Sequence, residues 1–255
     1  MMKMKRKDIS TILSVSVIIT LLVVGHTKAD EPNIDPETYI KRGLADYDND
    51  HYDDAISNFS KAIKMAPNSA EAFTHRGNAY RDKGVHDRAV SDYNKAVALD
   101  PKHTMAYYNR GGAYLGQQQY DHAISDYNKV IELDPKFAIA YSNRGIAYLY
   151  KGEYDRAISE FTRAMQIDPQ YVEAYTNRAA VFLNSDRHDE AISDYNSAIK
   201  IDPKSDLAYY NRGVAHFKKG DYVNSWDDIN TAQDLGYPVN PNLLKGLWDV
   251  LQSQK

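Results

Sequence analysis

The sequence predicts an all-α protein, a right-handed α-solenoid (superhelix) built from six 34-residue helix-turn-helix repeats and a C-terminal capping helix. Three observations predict this fold. Proline recurs every 34 residues from position 67 to position 203, glycine or alanine recurs with the same period, and aromatic residues recur at two further offsets. Self-similarity at a fixed period of about 20 to 50 residues is typical of stacked supersecondary units rather than of one globular core.

The first element is a targeting segment at residues 1–29. A basic start, MMKMKRKD, precedes an apolar stretch from Ile9 to Gly25 and a short polar tail that ends at Ala29. This order is that of a secretory signal peptide. The apolar stretch also reaches the lower length limit of a transmembrane helix, about 17 residues, so an uncleaved membrane anchor is the alternative. Both interpretations predict export: a periplasmic or secreted protein, or one anchored in the inner membrane with its repeats outside the cytosol.

The repeats follow a short linker at residues 30–35 and occupy residues 36–239. Each unit contains two runs of helix-forming residues with apolar side chains at helical spacing, separated by a turn in which glycine often occurs. Proline follows the second run in five units and ends it, because the residue before a proline is disfavoured in the helical region. The units are residues 36–69, 70–103, 104–137, 138–171, 172–205 and 206–239.

Residues 240–255 are predicted to form the capping helix. Asn240 suits the N-cap position, and Pro241 suits the first helical position. An apolar stripe at helical spacing follows and would seal the last repeat. A helix that binds a partner or a membrane surface is the alternative. The stripe consists of Leu243, Leu244, Leu247, Trp248 and Leu251.

The recurring residues resemble those of the tetratricopeptide repeat family. The pattern is an aromatic residue, glycine, tyrosine, alanine, a second aromatic residue, alanine and proline at unit positions 4, 8, 11, 20, 24, 27 and 32. It returns in every unit and spans about four fifths of the chain, although the sixth unit departs from it at several positions. The resemblance implies that the first helix of each unit lines a concave groove and that the protein binds protein or peptide partners. In the second unit the matching residues are Phe73, Gly77, Tyr80, Ala89, Tyr93, Ala96 and Pro101.

Position 6 of the first helix carries asparagine in four consecutive units, on the face that the recurring residues leave free. An amide offers a donor and an acceptor, which suits the main chain of an extended partner segment. Asparagine is a poor helix former, so four in register favour a role in binding. Local hydrogen bonding is the alternative. Similar asparagine rows line the grooves of peptide-binding members of the family. The four residues are Asn109, Asn143, Asn177 and Asn211.

Tyrosine and aliphatic residues share this face at positions 5, 9, 12 and 13. An apolar and aromatic surface exposed on a soluble protein marks a contact site. Burial against the neighbouring first helices is the alternative. The predicted groove residues of this kind are Tyr108, Tyr150, Tyr210, Leu115, Ile146, Leu149, Leu183 and Phe217.

Arginine recurs at position 7 in all six units, and an acidic residue recurs at position 23 in five of them. The matched acids predict structural ion pairs between the two helices of a unit, because a buried guanidinium needs such a partner. A basic row that binds acidic ligands is the alternative. The arginines are Arg42, Arg76, Arg110, Arg144, Arg178 and Arg212, and the acids are Asp92, Asp126, Glu160, Asp194 and Asp228.

Composition and motifs exclude several other functions. The chain has no cysteine, which rules out disulfides, thiolate metal sites and a cysteine nucleophile. The part after residue 29 has 26 basic and 34 acidic residues and lacks the basic surface that nucleic acid requires. No sequence motif for a catalytic, metal or cofactor site is present.

We therefore predict a non-enzymatic interaction scaffold in the cell envelope that binds an extended or helical segment of a protein partner in its groove. The alternative is architectural: self-assembly into a homo-oligomer through the sixth repeat and the capping helix, with Trp248 and Leu251 at the contact. No cofactor, metal or nucleic acid is expected. Contact with a membrane is expected only through the N-terminal segment, and only if that segment is not cleaved.

Overall fold

The computed structural model describes residues 35–253, which contain thirteen helices and no strand. The predicted all-α solenoid is confirmed: α1 to α12 form six consecutive pairs, and α13 follows the last pair. The helices are α1 (Pro36–Asp48), α2 (Tyr52–Met65), α3 (Ala70–Asp82), α4 (His86–Leu99), α5 (Thr104–Gly116), α6 (Tyr120–Leu133), α7 (Ala138–Tyr150), α8 (Tyr154–Ile167), α9 (Val172–Asn184), α10 (His188–Ile201), α11 (Asp206–Lys219), α12 (Tyr222–Asp234) and α13 (Pro241–Ser253).

The predicted signal or anchor segment at residues 1–29 lies outside the described residues, and so does most of the linker. Within residues 35–253, no helix combines the length and the apolar character that crossing a bilayer would need.

The first helix of each pair lies on one side of the stack. Each second helix packs against its own first helix and against the first helix of the next pair. First helices of consecutive pairs also contact each other, from α1 with α3 through α9 with α11, whereas no two second helices of the described chain do so. The stack is therefore tighter on the side of the first helices, and this side is its inner face.

Glycine in the first helix lets a side chain of the second helix pack directly against the helix backbone. A Cβ atom at Gly111 would lie 2.9 Å from the ring of Tyr127, which is too close for any side chain. Tyr127 is fully buried as a result, and burying an aromatic side chain contributes roughly 2–3 kcal/mol. The same contact recurs in other pairs, for example between Gly77 and Tyr93.

The turns between the two helices of a pair use the left-handed backbone region. In the second, fourth and sixth pairs a glycine takes this conformation, with φ of 83° at Gly84, 76° at Gly152 and 85° at Gly220. These are the turn glycines that the sequence indicates, because glycine adopts positive φ without steric cost. In the first, third and fifth pairs a polar residue does so, with φ between 55° and 61°.

The predicted arginine ion pairs are present and reach further than the sequence indicates. Arg110 donates two hydrogen bonds to Asp126, at 2.8 Å and 2.6 Å, and a third to Asn94 of the preceding pair at 2.7 Å. The third bond joins consecutive pairs, so each arginine of this kind clamps three helices together. In the first repeat Asn58 stands in place of the acid, and Arg42 is exposed. The equivalent ion pairs are Arg76–Asp92, Arg144–Glu160, Arg178–Asp194 and Arg212–Asp228.

Helix α13 closes the C-terminal end of the stack, as predicted. It packs against α12 and buries Leu247 in a cluster with Ile229 and Val239. The ring of Trp248 contacts that of Trp226, with centroids 5.4 Å apart, and 49% of Trp248 remains exposed.

Candidate functional site

The candidate site is the inner face, which comprises the side chains at positions 2, 5, 6, 9, 12 and 13 of each first helix. Two depressions on the stack are lined largely by these positions, one between α3 and α5 and one between α5 and α7. The contacts between consecutive first helices make the inner face one continuous side of the array.

The asparagine row lies in the seams between consecutive first helices. Asn109 is buried, with 6% of its surface exposed, and lines the depression between α3 and α5. Asn143 of α7 is half-buried, and its side-chain N–H donates to the hydroxyl of Tyr108 of α5 at 3.4 Å. Asn177 and Asn211 are half-buried at the equivalent positions. The row therefore meets the neighbouring first helix as well as the groove, and its binding role stays a prediction.

The predicted tyrosine and aliphatic residues divide into exposed and partly packed members. Tyr150 is 65% exposed and Phe217 is 41% exposed. Tyr150 stacks on Tyr120 with ring centroids 5.7 Å apart, and Phe217 meets Tyr222 edge-on. The other members are half-buried, so packing against neighbouring helices accounts for part of their surface. They are Tyr108, Tyr210, Leu115, Ile146, Leu149 and Leu183.

The depression between α3 and α5 has a volume of about 450 Å³ and contains a groove residue that sequence reasoning missed. Asn78 lines it, and the side-chain oxygen of Asn78 accepts a hydrogen bond from the hydroxyl of Tyr93 at 2.7 Å. This oxygen keeps a second lone pair and the amide nitrogen carries two N–H donors, so Asn78 can still offer both kinds of hydrogen-bonding group to the depression. Asn78 is not among the predicted groove residues because it stands at position 9, outside the row of asparagines that recurs at position 6. The sequence feature that could have identified Asn78 is the tyrosine beneath it, Tyr93, whose hydroxyl donates to it.

The depression between α5 and α7, which we call the α5–α7 depression, has a volume of about 500 Å³ and no charged side chain in its lining. It brings together three predicted groove side chains from two repeats, Leu115, Ile146 and Tyr150, and two glycines leave it open. The lining residues are Gly112, Leu115, Gly116, Gln118, Tyr120, Ile146 and Tyr150.

Charge is distributed unevenly along the inner face. Its positions in repeats 3 and 4 carry no charged residue, and repeats 5 and 6 carry one each, Glu173 and Lys218. Repeats 1 and 2 together carry Glu37, Lys41, Asp48, Glu71, Arg81 and Asp82.

The charged groups at the boundary of repeats 1 and 2 are paired with one another. The hydroxyl of Tyr47 donates to Asp82, and Arg81 donates to the same carboxylate at 2.8 Å. Burial, together with the bond to Asp82, raises the pKa of Tyr47 to about 12. Burial disfavours the charged form of Asp82, but the hydrogen bonds from Arg81 and Tyr47 outweigh it and hold the pKa of this carboxyl below its usual value. The charged and polar side chains at this end of the inner face are therefore paired with one another.

The middle of the inner face suits recognition. An uncharged apolar and aromatic surface with amides in its seams fits a protein segment, because the main chain of that segment needs hydrogen-bond partners and its apolar side chains gain from losing water. Within residues 35–253, no three histidine, aspartate or glutamate side chains are grouped so that they could hold a metal ion.

Family models match most of the repeat region. A model described as TPR repeat matches residues 43–84, 77–118, 147–186 and 185–220. Two further models, both described as tetratricopeptide repeat, match residues 105–137 and 126–159. No curated protein matches the chain.

Solved structures with the same fold cover most of the chain. The MamA protein is 28% identical with a TM-score of 0.60, over 66% of this chain and 92% of that one. YrrB, described as a TPR protein with an unusual peptide-binding site, is 23% identical with a TM-score of 0.57, over 71% and 93%. A tetratricopeptide repeat protein from Parabacteroides merdae is 19% identical with a TM-score of 0.65, over 83% and 96%. At their identities the last two show the fold alone.

Proposed function

The chain belongs to the tetratricopeptide repeat family, and from this premise we propose that it is a non-enzymatic scaffold whose inner face binds an extended or helical segment of a protein partner. Proteins of this family generally mediate protein–protein interactions, and the repeat fold is typically a non-catalytic interaction scaffold.

The observation that carries the proposal is the uncharged inner face of repeats 3 and 4. Large apolar side chains remain in contact with water there: Tyr150 is 65% exposed, Met105 43% and Ile139 42%. Asn143 lies between Ile139 and Tyr150 along α7, and its amide makes one long hydrogen bond, to Tyr108. Exposed apolar groups that share one face with under-used polar groups are typical of a protein contact surface.

Site-specific photo-crosslinking tests this proposal. A photoreactive phenylalanine analogue replaces Tyr150 on the inner face, or Ser159, which is exposed on the second helix α8, as a matched control. We expect covalent adducts from the Tyr150 position in intact cells, identified by mass spectrometry, and far fewer from the Ser159 position. The double variant Asn143→Ala, Asn177→Ala should abolish the adducts. Equal labelling from both faces, unaffected by the double variant, would contradict binding at the inner face.

We also propose that the repeats work outside the cytosol, in the periplasm or secreted, or tethered to the inner membrane. The basic start and apolar stretch of residues 1–29 support this proposal. N-terminal sequencing of the protein from cells should find Asp30 as the first residue if the segment is a cleaved signal peptide. An intact N-terminus in the membrane fraction would favour the anchor, and an intact chain in the cytosolic fraction would exclude export.

Self-assembly is the second candidate function, favoured by apolar groups exposed on the last repeat and the capping helix. Val223 of α12 is 60% exposed, and Trp248 of α13 is 49% exposed next to Trp226. Light scattering of residues 30–255 tests this function. An oligomer that Trp248→Ala dissociates would support assembly through this end, whereas a monomer at all concentrations would exclude it.

A further inference from the structure

Two glycines of α5 lie on the inner face without a structural requirement for glycine. A Cβ atom at Gly116 would meet nothing within 4 Å, and one at Gly112 would meet only the hydroxyl of Tyr127, at an ordinary contact distance of 3.8 Å. Both residues belong to the helix and neither has positive φ. Glycine is among the poorest helix formers, so α5 is less stable with these residues than with almost any others. The space that they leave open is the α5–α7 depression.

The second observation is the hydroxyl of Tyr127, which is independent of the glycines. Tyr127 is fully buried, and its hydroxyl has no hydrogen-bond partner. Asn143 is the polar side chain that acts on this hydroxyl, and its amide nitrogen donates to the hydroxyl of Tyr108 at 3.4 Å. A buried polar group without a partner is uncommon because the lost hydration is not replaced.

Repeat 2 shows which group is missing. Asn78 occupies the position equivalent to Gly112, and its side-chain oxygen accepts the hydrogen bond of Tyr93, the equivalent of Tyr127, at 2.7 Å. The space above Gly112 therefore corresponds to the place where an acceptor oxygen completes the same arrangement one repeat earlier. In repeat 4, Ile146 fills this position above a phenylalanine, which has no hydroxyl to satisfy.

We propose that the α5–α7 depression is the anchor subsite of the groove, which takes a large uncharged apolar side chain of the partner segment against Leu115, Ile146 and Tyr150. The main-chain carbonyl oxygen next to that side chain lies over Gly112 and accepts the hydrogen bond of Tyr127, as the Asn143 side chain moves aside. This inference rests on the proposed function, because it names the chemistry that the same inner face selects.

The chemistry of the lining fixes the class of occupant. No charged side chain lines the depression, so a carboxylate or an ammonium group would lose its hydration there without gaining a partner. Two aromatic rings and two aliphatic side chains, together with the helix backbone exposed at the glycines, favour an aromatic or long aliphatic side chain. A glycine surface also permits a partner main chain to approach closely, which a side chain at Gly112 would prevent.

The test uses residues 30–255 and a displayed library of random peptides as the probe. Peptides selected by the native protein should share a large apolar residue. The variant Gly112→Asn places in repeat 3 the amide that repeat 2 already has, so that the chain satisfies Tyr127 itself. We expect it to weaken the selected peptides at least about tenfold, the equivalent of one lost anchor contact. Gly246→Asn in α13 is the matched control, since a Cβ there also meets nothing within 4 Å, and it should leave binding unchanged.

The variant Tyr127→Phe tests the contribution of the hydrogen bond separately from that of the apolar depression. It removes only the hydroxyl and should weaken the same peptides by about fivefold, without lowering the unfolding temperature. If peptides bind and depend on Asn143 and Asn177, but Gly112→Asn and Tyr127→Phe both bind them like the native protein, the anchor subsite is refuted while the proposed function stands. If the native protein selects no peptide, or selected peptides ignore every inner-face variant, both are refuted.

Discussion

Repeats 2 and 3 place a buried tyrosine beneath the first helix in the same way, but only repeat 2 gives its hydroxyl a partner within the chain. Tyr93 donates to Asn78 at 2.7 Å, whereas Tyr127 lies below Gly112 and has no partner. The two repeats share the ion pair of the arginine clamp and the contact between glycine and tyrosine ring.

This difference separates two kinds of position in the repeat. Framework positions meet the same neighbours in every unit, so the same residue types are needed each time. Inner-face positions meet the groove, so a repeat can lose an internal hydrogen bond there without losing its fold. Under the proposed function, specificity lies where a repeat departs from the common pattern, and substitutions in the framework and on the inner face should therefore have different effects.

The largest expected effect comes from breaking the arginine clamp, which should cost the same in either repeat. Arg110→Ala leaves the carboxylate of Asp126, 5% exposed, without its bidentate partner, and we expect the free energy of unfolding to fall by about 3 kcal/mol. Arg76→Ala does the same to Asp92. Denaturant unfolding followed by circular dichroism measures both. Arg42→Ala, at an exposed arginine, should change stability by less than about 0.5 kcal/mol.

The arginine clamp is expected to play no part in ligand binding. Arg144→Leu should leave the affinity for any groove ligand unchanged in the fraction that folds, because Arg144 pairs with Glu160 of α8 and with Asn128 of the preceding pair. A loss of affinity without a loss of stability would assign the arginine row to the binding site and reverse the separation of framework and inner face.

The next largest effect is expected from alanine substitutions at two adjacent glycines of α5, which should change stability in opposite directions. Gly111→Ala forces a Cβ atom to 2.9 Å from the ring of Tyr127. We expect this overpacking to lower the free energy of unfolding by about 2 kcal/mol. Gly112→Ala meets no such obstacle and should gain up to about 1 kcal/mol of helix stability. Thermal unfolding measures both variants. Equal losses would mean that Gly112 is a framework residue after all.

The framework could be predicted from the sequence because repetition reveals it. Gly111 recurs 34 residues from its equivalents, and the spacing of Arg110 and Asp126 recurs in five units. A residue type that returns at a fixed position, together with its partner type, points to one packing contact repeated along the array. The turn glycines and the capping helix follow from equally local rules.

The site could be predicted only in part because its chemistry lies where repetition fails. Asn78 and Gly112 stand at position 9, which carries a different residue in every repeat, and neither is an exposed apolar side chain, so neither recurrence nor apolar character points to them. Exposure along the asparagine row also depends on the neighbouring repeat: Asn109 is buried while Asn143 is half-buried, although both stand at position 6. Comparing the side chain at position 9 with the ring beneath it, unit by unit, is the signal that could have found these residues.

A smaller effect compares the two tyrosines directly. Tyr93→Phe removes the hydroxyl that donates to Asn78 and leaves that amide oxygen without its partner. We therefore expect the free energy of unfolding to fall by about 1 kcal/mol. Tyr127→Phe removes a buried hydroxyl that has no partner and should be neutral or stabilising by a similar amount. Chemical denaturation of the two variants side by side gives the difference. If both lose stability equally, Tyr127 has a partner in solution and the contrast between the repeats disappears.

The smallest effect concerns the charged end of the inner face and its dependence on pH. Hydrogen bonds from Arg81 and Tyr47 outweigh burial and hold the pKa of Asp82 below its ordinary 3.8. The ionised carboxylate therefore stabilises the fold above that value, and the contribution is lost as the pH falls through the lower, folded-state pKa. Asp82→Asn should lower the free energy of unfolding by less than about 1 kcal/mol near pH 7 and by a smaller amount near pH 3.

Tyr47→Phe removes one of the two donors to Asp82 and should shrink this pH-dependent difference without abolishing it, because Arg81 still donates to the carboxylate. Unfolding curves of the native protein and the variants at both pH values provide the measurement. The pairing matters for the groove because charged side chains that are already paired with one another, as in repeats 1 and 2, have few hydrogen bonds left for a ligand. The uncharged inner face of repeats 3 and 4 keeps its aromatic rings and amides available. A difference that does not change with pH would show that Asp82 is unpaired in solution, and the charged end would then compete with repeats 3 and 4 for the partner.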